Sequence, residues 1–339
     1  MAPFPIVDSH IHLYTESEQS TLTWLTPEHP LTGSHSITEY NGNTGSPSNL
    51  EGFVFIEADR KNDESKDWTY PLEELSFVRR IVTGSPKPDD GHAATDAKQL
   101  LAAIPWAPVN LGPKKLEEFL AKAEETAGPE TWAKVKGFRY LIQDKPNGTA
   151  LEEDFIAGLK VLGDRGFVFD LGVDQHRRGR IQLDQTVEMI DRAHEDVEED
   201  KKVVFIINHL CKPDLTIVNQ SDPSFVAWRT TMFTLSRCHR TYMKLSGCFE
   251  ELPEWLKARP AEDIFEAILP WLAIIVAAFG PSRIMFGSNW PVCNVGVGED
   301  AWKKWHKVVE MVCDLAGLSE DDQKMLWGGT AKKAYNIDA

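Results

Sequence analysis

IVDSHIHL, residues 6–13, is the stretch that decides the fold of this chain. It follows a short apolar lead-in and has the character of a strand. Side chains alternate faces along a strand, so His10 and His12 project to the same side. Two neutral imidazole nitrogens aimed at one point suit Zn²⁺ or a similar divalent ion. The plain alternative is two ordinary histidines in a turn, and the rest of the chain has to choose between them.

Outward from this stretch, short apolar runs alternate with longer amphipathic ones, the pattern of βα units around a parallel sheet. Runs 6–10, 52–57, 104–109, 135–141, 167–171, 203–209, 242–245 and 283–286 read as strands, and eight is the number that closes a parallel barrel. Stretches 71–85, 116–127, 152–165, 185–199 and 225–237 read as the intervening helices. Stretches 299–316 and 319–335 follow the last strand and are expected to pack outside the barrel. Ser319 with Asp322 is a suitable N-cap and acidic first turn. The expectation is one α/β domain over 1–339, a (β/α)₈ TIM barrel. Residues 14–50 break the rhythm. They are rich in Ser, Thr, Gly, Asn and Pro, yet hold Trp24, Leu25 and Tyr40. Such a long first βα loop belongs over the C-terminal face of a barrel as a lid or binding loop. It is expected to bring Trp24 or Tyr40 toward a ligand.

Composition narrows the function. Hydrophobic residues are 42% and charged residues 26%, ordinary for a globular protein, and the net charge is −16. That charge repels phosphate backbones and anionic membranes, so no nucleic-acid or membrane partner is expected. The opening MAPFPIVDS has no basic region followed by an apolar run. The most apolar stretch, residues 264–279, is interrupted by Glu266 and Pro270 and is too short to span a bilayer. Five scattered cysteines without CxxC spacing read as reduced thiols, which points to the cytoplasm.

In a parallel barrel, the polar residues at strand C-termini converge on one site. Here strand one ends in His10 and His12, strand two in Glu57 and strand four in Arg139. Strand five runs into Asp170, Asp174 and His176, strand six ends in His209, strand seven carries Lys244 and strand eight ends in Asn289. Any one of them fits a satisfied polar residue at a loop start, but their shared position at one end of successive strands points to a site.

VDSHIHL, GFRYLIQDKP, FIINHLCKP, YMKLSG and MFGSNWPVC occur in an order that resembles the amidohydrolase superfamily. The likeness is to its amidohydrolase-related branch of sugar-lactone and dicarboxylate-lactone hydrolases, and within that branch to fungal L-rhamnono-γ-lactonases. It is more distant to bacterial L-fuconolactone hydrolases. The resemblance implies a barrel of the metallo-dependent-hydrolase type with a mononuclear or metal-free site at the strand C-termini. It implies a sugar-acid lactone as substrate, L-rhamnono-1,4-lactone foremost, and a place in L-rhamnose metabolism; a homo-oligomer is compatible with it. His10, His12 and His209 would ligate one divalent ion, zinc first, with manganese or calcium as alternatives. His209 would otherwise polarise the lactone carbonyl. Three neutral nitrogens leave zinc an open position for water. Glu57 would ligate the metal or bind a sugar hydroxyl. Arg139 is a fixed cation suited to a carbonyl oxygen or product carboxylate, unless it pairs with Asp170 or Glu57. His176, Trp24 and Trp290 are candidates for lining the substrate pocket. Asp174 and Lys244 read as structural partners.

One position departs from the family pattern. The resembled motif ends strand eight with an aspartate, implied to take the proton of the attacking water and pass it to the leaving group. Asn289 has no titratable carboxylate and cannot act as a general base. Either the chain is an Asp→Asn variant made to hold substrate without turnover, or it is a natural chain that has lost or rerouted its base. On the first alternative, Asn289→Asp restores hydrolysis. A non-hydrolytic decarboxylase on the same barrel is the competing enzyme class; it would want a cationic pocket, and Arg139 is the main strand-end cation visible. A catalytically dead lactone-binding protein is the third alternative.

Overall fold

The structure is a computed structural model and describes residues 4–337. Its strands are β1 (Ile6–Ile11), β2 (Leu50–Ile56), β3 (Leu100–Ile104), β4 (Gly137–Arg139), β5 (Val168–Leu171), β6 (Val204–Ile207), β7 (Thr241–Leu245) and β8 (Ile284–Phe286). All ladders are parallel, in one sheet ordered β1-β2-β3 and another ordered β4-β5-β6-β7-β8. Single parallel bridges join the two sheets, Ala103 with Val135 and Trp106 with Arg139. At the other seam Ile11 bridges Trp290, the His12 amide donates to the Trp290 carbonyl at 2.8 Å, and the Asn289 amide donates to the His10 carbonyl at 2.9 Å. The fold is a (β/α)₈ barrel.

Alternation along the strands sorts the core into two faces. Phe53, Phe55, Phe169, Leu171, Phe205, Ile207, Met243 and Leu245 join the large apolar cluster shared with the helices. Val54, Ile56, Val168, Ile206 and Met285 form a smaller cluster on the opposite face, the barrel interior. Three helices illustrate the outer ring: Thr69–Val82, Glu153–Asp164 and Pro223–Leu235. The first ends in Arg79 and Arg80, at the end where a helix dipole favours cations.

Three expectations from the sequence need correction. The third strand lies at Leu100–Ile104, not 104–109. Pro105 and Pro108 bring no N–H to a ladder, so the earlier, equally apolar residues pair instead. Residues 14–50 are not one loop: they contain a 3₁₀ turn, Glu16–Thr21, and a helix, Ile37–Thr44, whose Ser36 and Glu39 form a capping box. The apolar stretch at 264–279 needs no correction: it lies in a helix, Ala261–Phe279, with Pro270 inside it. The final segment is broken into Glu320–Lys324, a π turn at Met325–Gly329, and Thr330–Ala334. It does not pack wholly outside: Ala331, Ala334 and Tyr335 join the interior cluster. The five cysteines are free, and among the described residues no helix is long and apolar enough to cross a membrane.

Candidate active site

A cavity of about 400 Å³ opens at the C-terminal ends of the strands, a size suited to a small-molecule ligand. Its lining includes His12, Glu57, Arg139, His209 and Asn289 from the sequence-derived set, with Trp24 from the first βα connection. His10 stands behind His12. Its Nε2 is 3.2 Å from His12 Nε2, and its ring centroid is 4.5 Å from that of His209. The structure thus brings His10, His12 and His209 together. It does not bring His176 or Trp290 to the cavity lining. His176 Nδ1 faces Glu251 at 2.7 Å, while Trp290 is fully buried against Tyr40 and His35 with its indole N–H on Asn43. Tyr40 is likewise buried and donates its hydroxyl to Asp8, so of the two aromatics expected from 14–50 only Trp24 reaches the cavity.

The partners of the β1 histidines fix their tautomers. His12 Nδ1 lies 2.9 Å from the Glu57 carbonyl and 3.1 Å from that of Ile56, so Nδ1 carries the proton and Nε2 accepts. His10 Nδ1 faces Lys244 Nζ at 3.0 Å, and that amine donates to Asp170 at 2.6 Å. Burial lowers Lys244 to about 8, still above neutrality, so it donates to His10 as well. His10 then carries its proton on Nε2 and gives it to His12. Burial, aided by Lys244, holds His10 well below the ordinary imidazole range; burial and Arg139 hold His12 at about 3; burial and Lys212 hold His209 well below it. All three are neutral at physiological pH.

Two nitrogens 3.2 Å apart are spaced for one ion, and His12, anchored through Nδ1 to carbonyls, has the usual second contact of a metal-bound histidine. His10 does not: a cationic donor sits where a ligand histidine needs an acceptor, and its Nε2 holds a proton. Among the described residues no group of three His, Cys, Asp or Glu side chains is arranged to hold a metal. As arranged, the set does not fit a bound ion.

Arg139 and Glu57 form the floor. Arg139 Nε lies 3.2 Å from Glu57 Oε1, the pairing foreseen as its alternative role, but the contact is not aligned as a hydrogen bond. Among the described residues Arg139 Nε and Nη1, Glu57 Oε1 and Asn208 Oδ1 are buried without a hydrogen-bond partner. These side chains are 8%, 1% and 1% exposed respectively. Buried polar groups are almost always satisfied, so donors and acceptors left open at a cavity wall are places for ligand atoms. Burial, with Asp59 and Glu74 adding to it, raises Glu57 to about 8 against the pull of Arg139.

The opposite wall is built on strained backbone. His209, Leu210, Cys211 and Lys212 all have positive φ, from 45° to 61°, a left-handed turn that costs roughly 1–2 kcal/mol per residue. It is pinned by hydrogen bonds from the Cys211 amide to the Asn208 carbonyl and from the Lys212 amide to the His209 carbonyl, and by the Trp228 indole on the Leu210 carbonyl at 2.7 Å. His209 Nδ1 meets Ser246 Oγ at 2.8 Å. Gly247 is required beside it: φ is +66°, and a Cβ there would lie 2.4 Å from the His209 ring. The turn also delivers Lys212, whose ammonium contacts Glu250 at 3.1 Å. Burial alone would lower Lys212, but Glu250 and Glu251 outweigh it and raise it. Glu250 in turn accepts the Asn289 amide. Asn289 sits at φ 62°, a conformation asparagine tolerates.

Glu250, Lys212, Asn208, Arg177 and Lys257 line the cavity and were not identified from the sequence. All lie on connections after strands, where no periodicity marks which side chain turns inward. The usable signal was the acidic pair Glu250–Glu251 shortly after a barrel strand.

A family model described as amidohydrolase matches residues 7–337. The chain is similar to an L-rhamnono-gamma-lactonase of Scheffersomyces stipitis, 35% identical over 99% of this chain and 100% of the relative. It is similar to an L-fucono-1,5-lactonase of Burkholderia multivorans, 28% identical over 72% of this chain and 74% of the relative. Among solved structures, an amidohydrolase from Burkholderia multivorans with bound zinc superposes with a TM-score of 0.74 at 24% identity, covering 98% of this chain and 100% of that one.

Proposed function

The chain belongs to the amidohydrolase family, and from that premise we propose that it opens a sugar-acid lactone to the free acid, with L-rhamnono-1,4-lactone to L-rhamnonate as the leading substrate. The observation that carries this reading is the set of open polar atoms at the cavity wall: two donors on Arg139 and acceptors on Glu57 and Asn208. A polyhydroxylated lactone supplies both complements, a carbonyl oxygen for the guanidinium and hydroxyls for the acceptors. In the addition step negative charge develops on that carbonyl oxygen, and a buried guanidinium stabilises it more than it stabilises the neutral ester. His209, neutral and on the rigid left-handed turn, contacts the same group or the attacking water. Trp24 offers an aromatic face to the sugar's C–H groups. The L-rhamnono-gamma-lactonase name of the full-length relative supports the choice of sugar.

The decarboxylase alternative gains cations from the structure, since Lys212, Arg177 and Lys257 join Arg139 in the lining. Each added cation is already paired, with Glu250, Asp174 and Glu254 at 3.1, 2.8 and 2.6 Å. A substrate carboxylate therefore finds no surplus positive charge beyond Arg139. Lactone opening followed by pH-stat on L-rhamnono-γ-lactone, L-fucono-1,5-lactone and other sugar lactones tests the function. Acid release on a rhamnono- or fucono-lactone supports it, whereas CO₂ release from an aromatic acid, or binding without either reaction, replaces it.

Zinc at His10, His12 and His209 is a second reading, favoured by the His12 anchoring and by the zinc-bound solved relative. It requires the other tautomer of His10. Metal content of the purified protein, and activity after chelator dialysis with and without added zinc, decides it. Full activity in metal-free protein sinks the zinc reading.

A further inference from the structure

We propose that Glu250 is the general base of this site, held in place by Asn289 and Lys212, so that the carboxylate missing at position 289 is supplied from the loop after β7. The assignment rests on the lactonase reading above. Position 289 carries an amide, which donates but cannot take a proton from water at any accessible pH. That amide donates to Glu250 Oε1, and Lys212 Nζ contacts Oε2 at 3.1 Å. The carboxylate is therefore oriented from two sides, by a residue after β8 and by the left-handed turn after β6. It lines the same cavity as Arg139 and His209. Its side chain is 21% exposed, open enough to meet a water.

The other carboxylates of the lining are worse placed. Glu57 is 1% exposed and lies against the Arg139 guanidinium. Asp59 accepts the Thr23 hydroxyl, and Asp144 is exposed at the rim. Glu250 alone among the described carboxylates of the lining touches Asn289. Two donors on one carboxylate also explain the strain: the left-handed turn costs energy locally and places Lys212 where it can hold Glu250.

Water adds to the lactone carbonyl carbon while Glu250 takes one of its protons, and the carbonyl electron pair moves onto the oxygen facing Arg139. The tetrahedral species collapses, the ring C–O bond breaks, and Glu250 returns its proton to the departing ring oxygen. The product carboxylic acid loses its remaining proton to solvent.

Glu250→Gln keeps size and hydrogen bonding and removes the base. We expect kcat to fall by about 10²–10⁴-fold, with KM held within about threefold. The acid limb of the kcat profile should vanish in this variant. Charged and titratable groups that face Glu250 are Lys212 after β6, Cys248 and Glu251 on its own segment and Cys293 after β8, with Arg177, Lys257 and His209 in the same lining. Glu250→Ala should regain rate with added formate, which a purely structural defect would not. Asn289→Asp sets a second carboxylate against Glu250 and should lower turnover at neutral pH instead of restoring it. Where the neutral variants do not fold, Glu250→Asp keeps the charge opposite Lys212 and should still lose kcat with KM retained. Two failures are distinct. If the protein as it stands opens no lactone, the lactonase reading fails and this assignment falls with it. If it opens one and Glu250→Gln keeps a rate within about threefold, or Asn289→Asp raises the rate by orders of magnitude, Glu250 is not the base while the lactonase reading stands.

Discussion

The wall of the cavity built on β1, β2 and β4 and the wall built on the loops after β6, β7 and β8 handle polar groups in opposite ways. On the first, Arg139, Glu57 and Asn208 (the last reaching in from the end of β6) hold buried atoms with no hydrogen-bond partner, and His10 and His12 are locked into one tautomer. On the second, Lys212, Glu250 and Asn289 satisfy one another, with Lys212 and Asn289 on backbone in left-handed conformations. Atoms left open on a strand or one residue past its end, where the backbone is rigid, are suited to binding. Charges balanced on strained loops suit a group that has to change protonation state without collapsing its surroundings. On the proposed function the difference separates recognition from proton transfer, and it can be broken one wall at a time.

After Glu250→Gln, the largest effect is expected from Arg139→Ala. It removes the open donors and strands Glu57, so kcat/KM should fall by about 10²–10³-fold. Arg139→Lys should recover little, because a point charge does not reproduce the planar fork. Steady-state kinetics on the best lactone checks both, and near-normal kcat/KM in the alanine variant would move recognition off this wall.

Next is Gly247→Ala. The added methyl meets the His209 ring and the residue is held at positive φ. Stability should fall by at least about 1–2 kcal/mol from the backbone alone, read by chemical denaturation. Activity should fall too, through displaced His209 and Lys212.

A third test uses pH and the binding wall. His12 is held at about 3, below its ordinary 6.5. Its neutral form therefore contributes stability that is full above pH 6.5 and is lost as pH falls through the window toward 3. The loss is on the order of 1 kcal/mol per pH unit. Thermal melts across this range should decline steeply, and His12→Gln should flatten the slope. His176→Ala should have the smallest effect. Its ring lies outside the cavity, and lactone kinetics within about twofold of the parent are expected; a large change in KM would place the substrate further out than the cavity described.

How much of this was legible in the sequence follows the same division. The strand-borne residues were: His10, His12, Glu57 and Arg139 lie on or at the ends of strands that apolar runs mark to within a few residues. The loop-borne residues were only partly so. His209 and Asn289 sit immediately after a strand and were located; Glu250 follows β7 by a Gly-centred turn and a 3₁₀ segment, Cys248–Glu251, in which no alternation says which acid faces the cavity. Lys212 depends on four successive left-handed residues, a conformation that none of His209, Leu210, Cys211 or Lys212 announces by type. His176 and Trp290 were placed by proximity in sequence, and the turn instead sends Arg177 inward while Trp290 fills core. The third strand slipped because the proline-bearing AIPWAPV looked as apolar as the pairing residues before it.

The segment after the last helix of the barrel reaches further than its place in the chain suggests. Tyr335 enters the barrel interior and donates to Asp170 at 3.0 Å, Asp170 holds Lys244, and Lys244 holds His10. A continuous line of hydrogen bonds thus runs from the closed end of the barrel to its mouth. A ribosome that has released all eight strands has still not made the group that anchors this line. Until Tyr335 arrives, Asp170 and Lys244 lack one of their fixed neighbours, and the tautomers of His10 and His12 lack their far support. Synthesis from one end to the other therefore leaves this line of hydrogen bonds without its far end until Tyr335 is made.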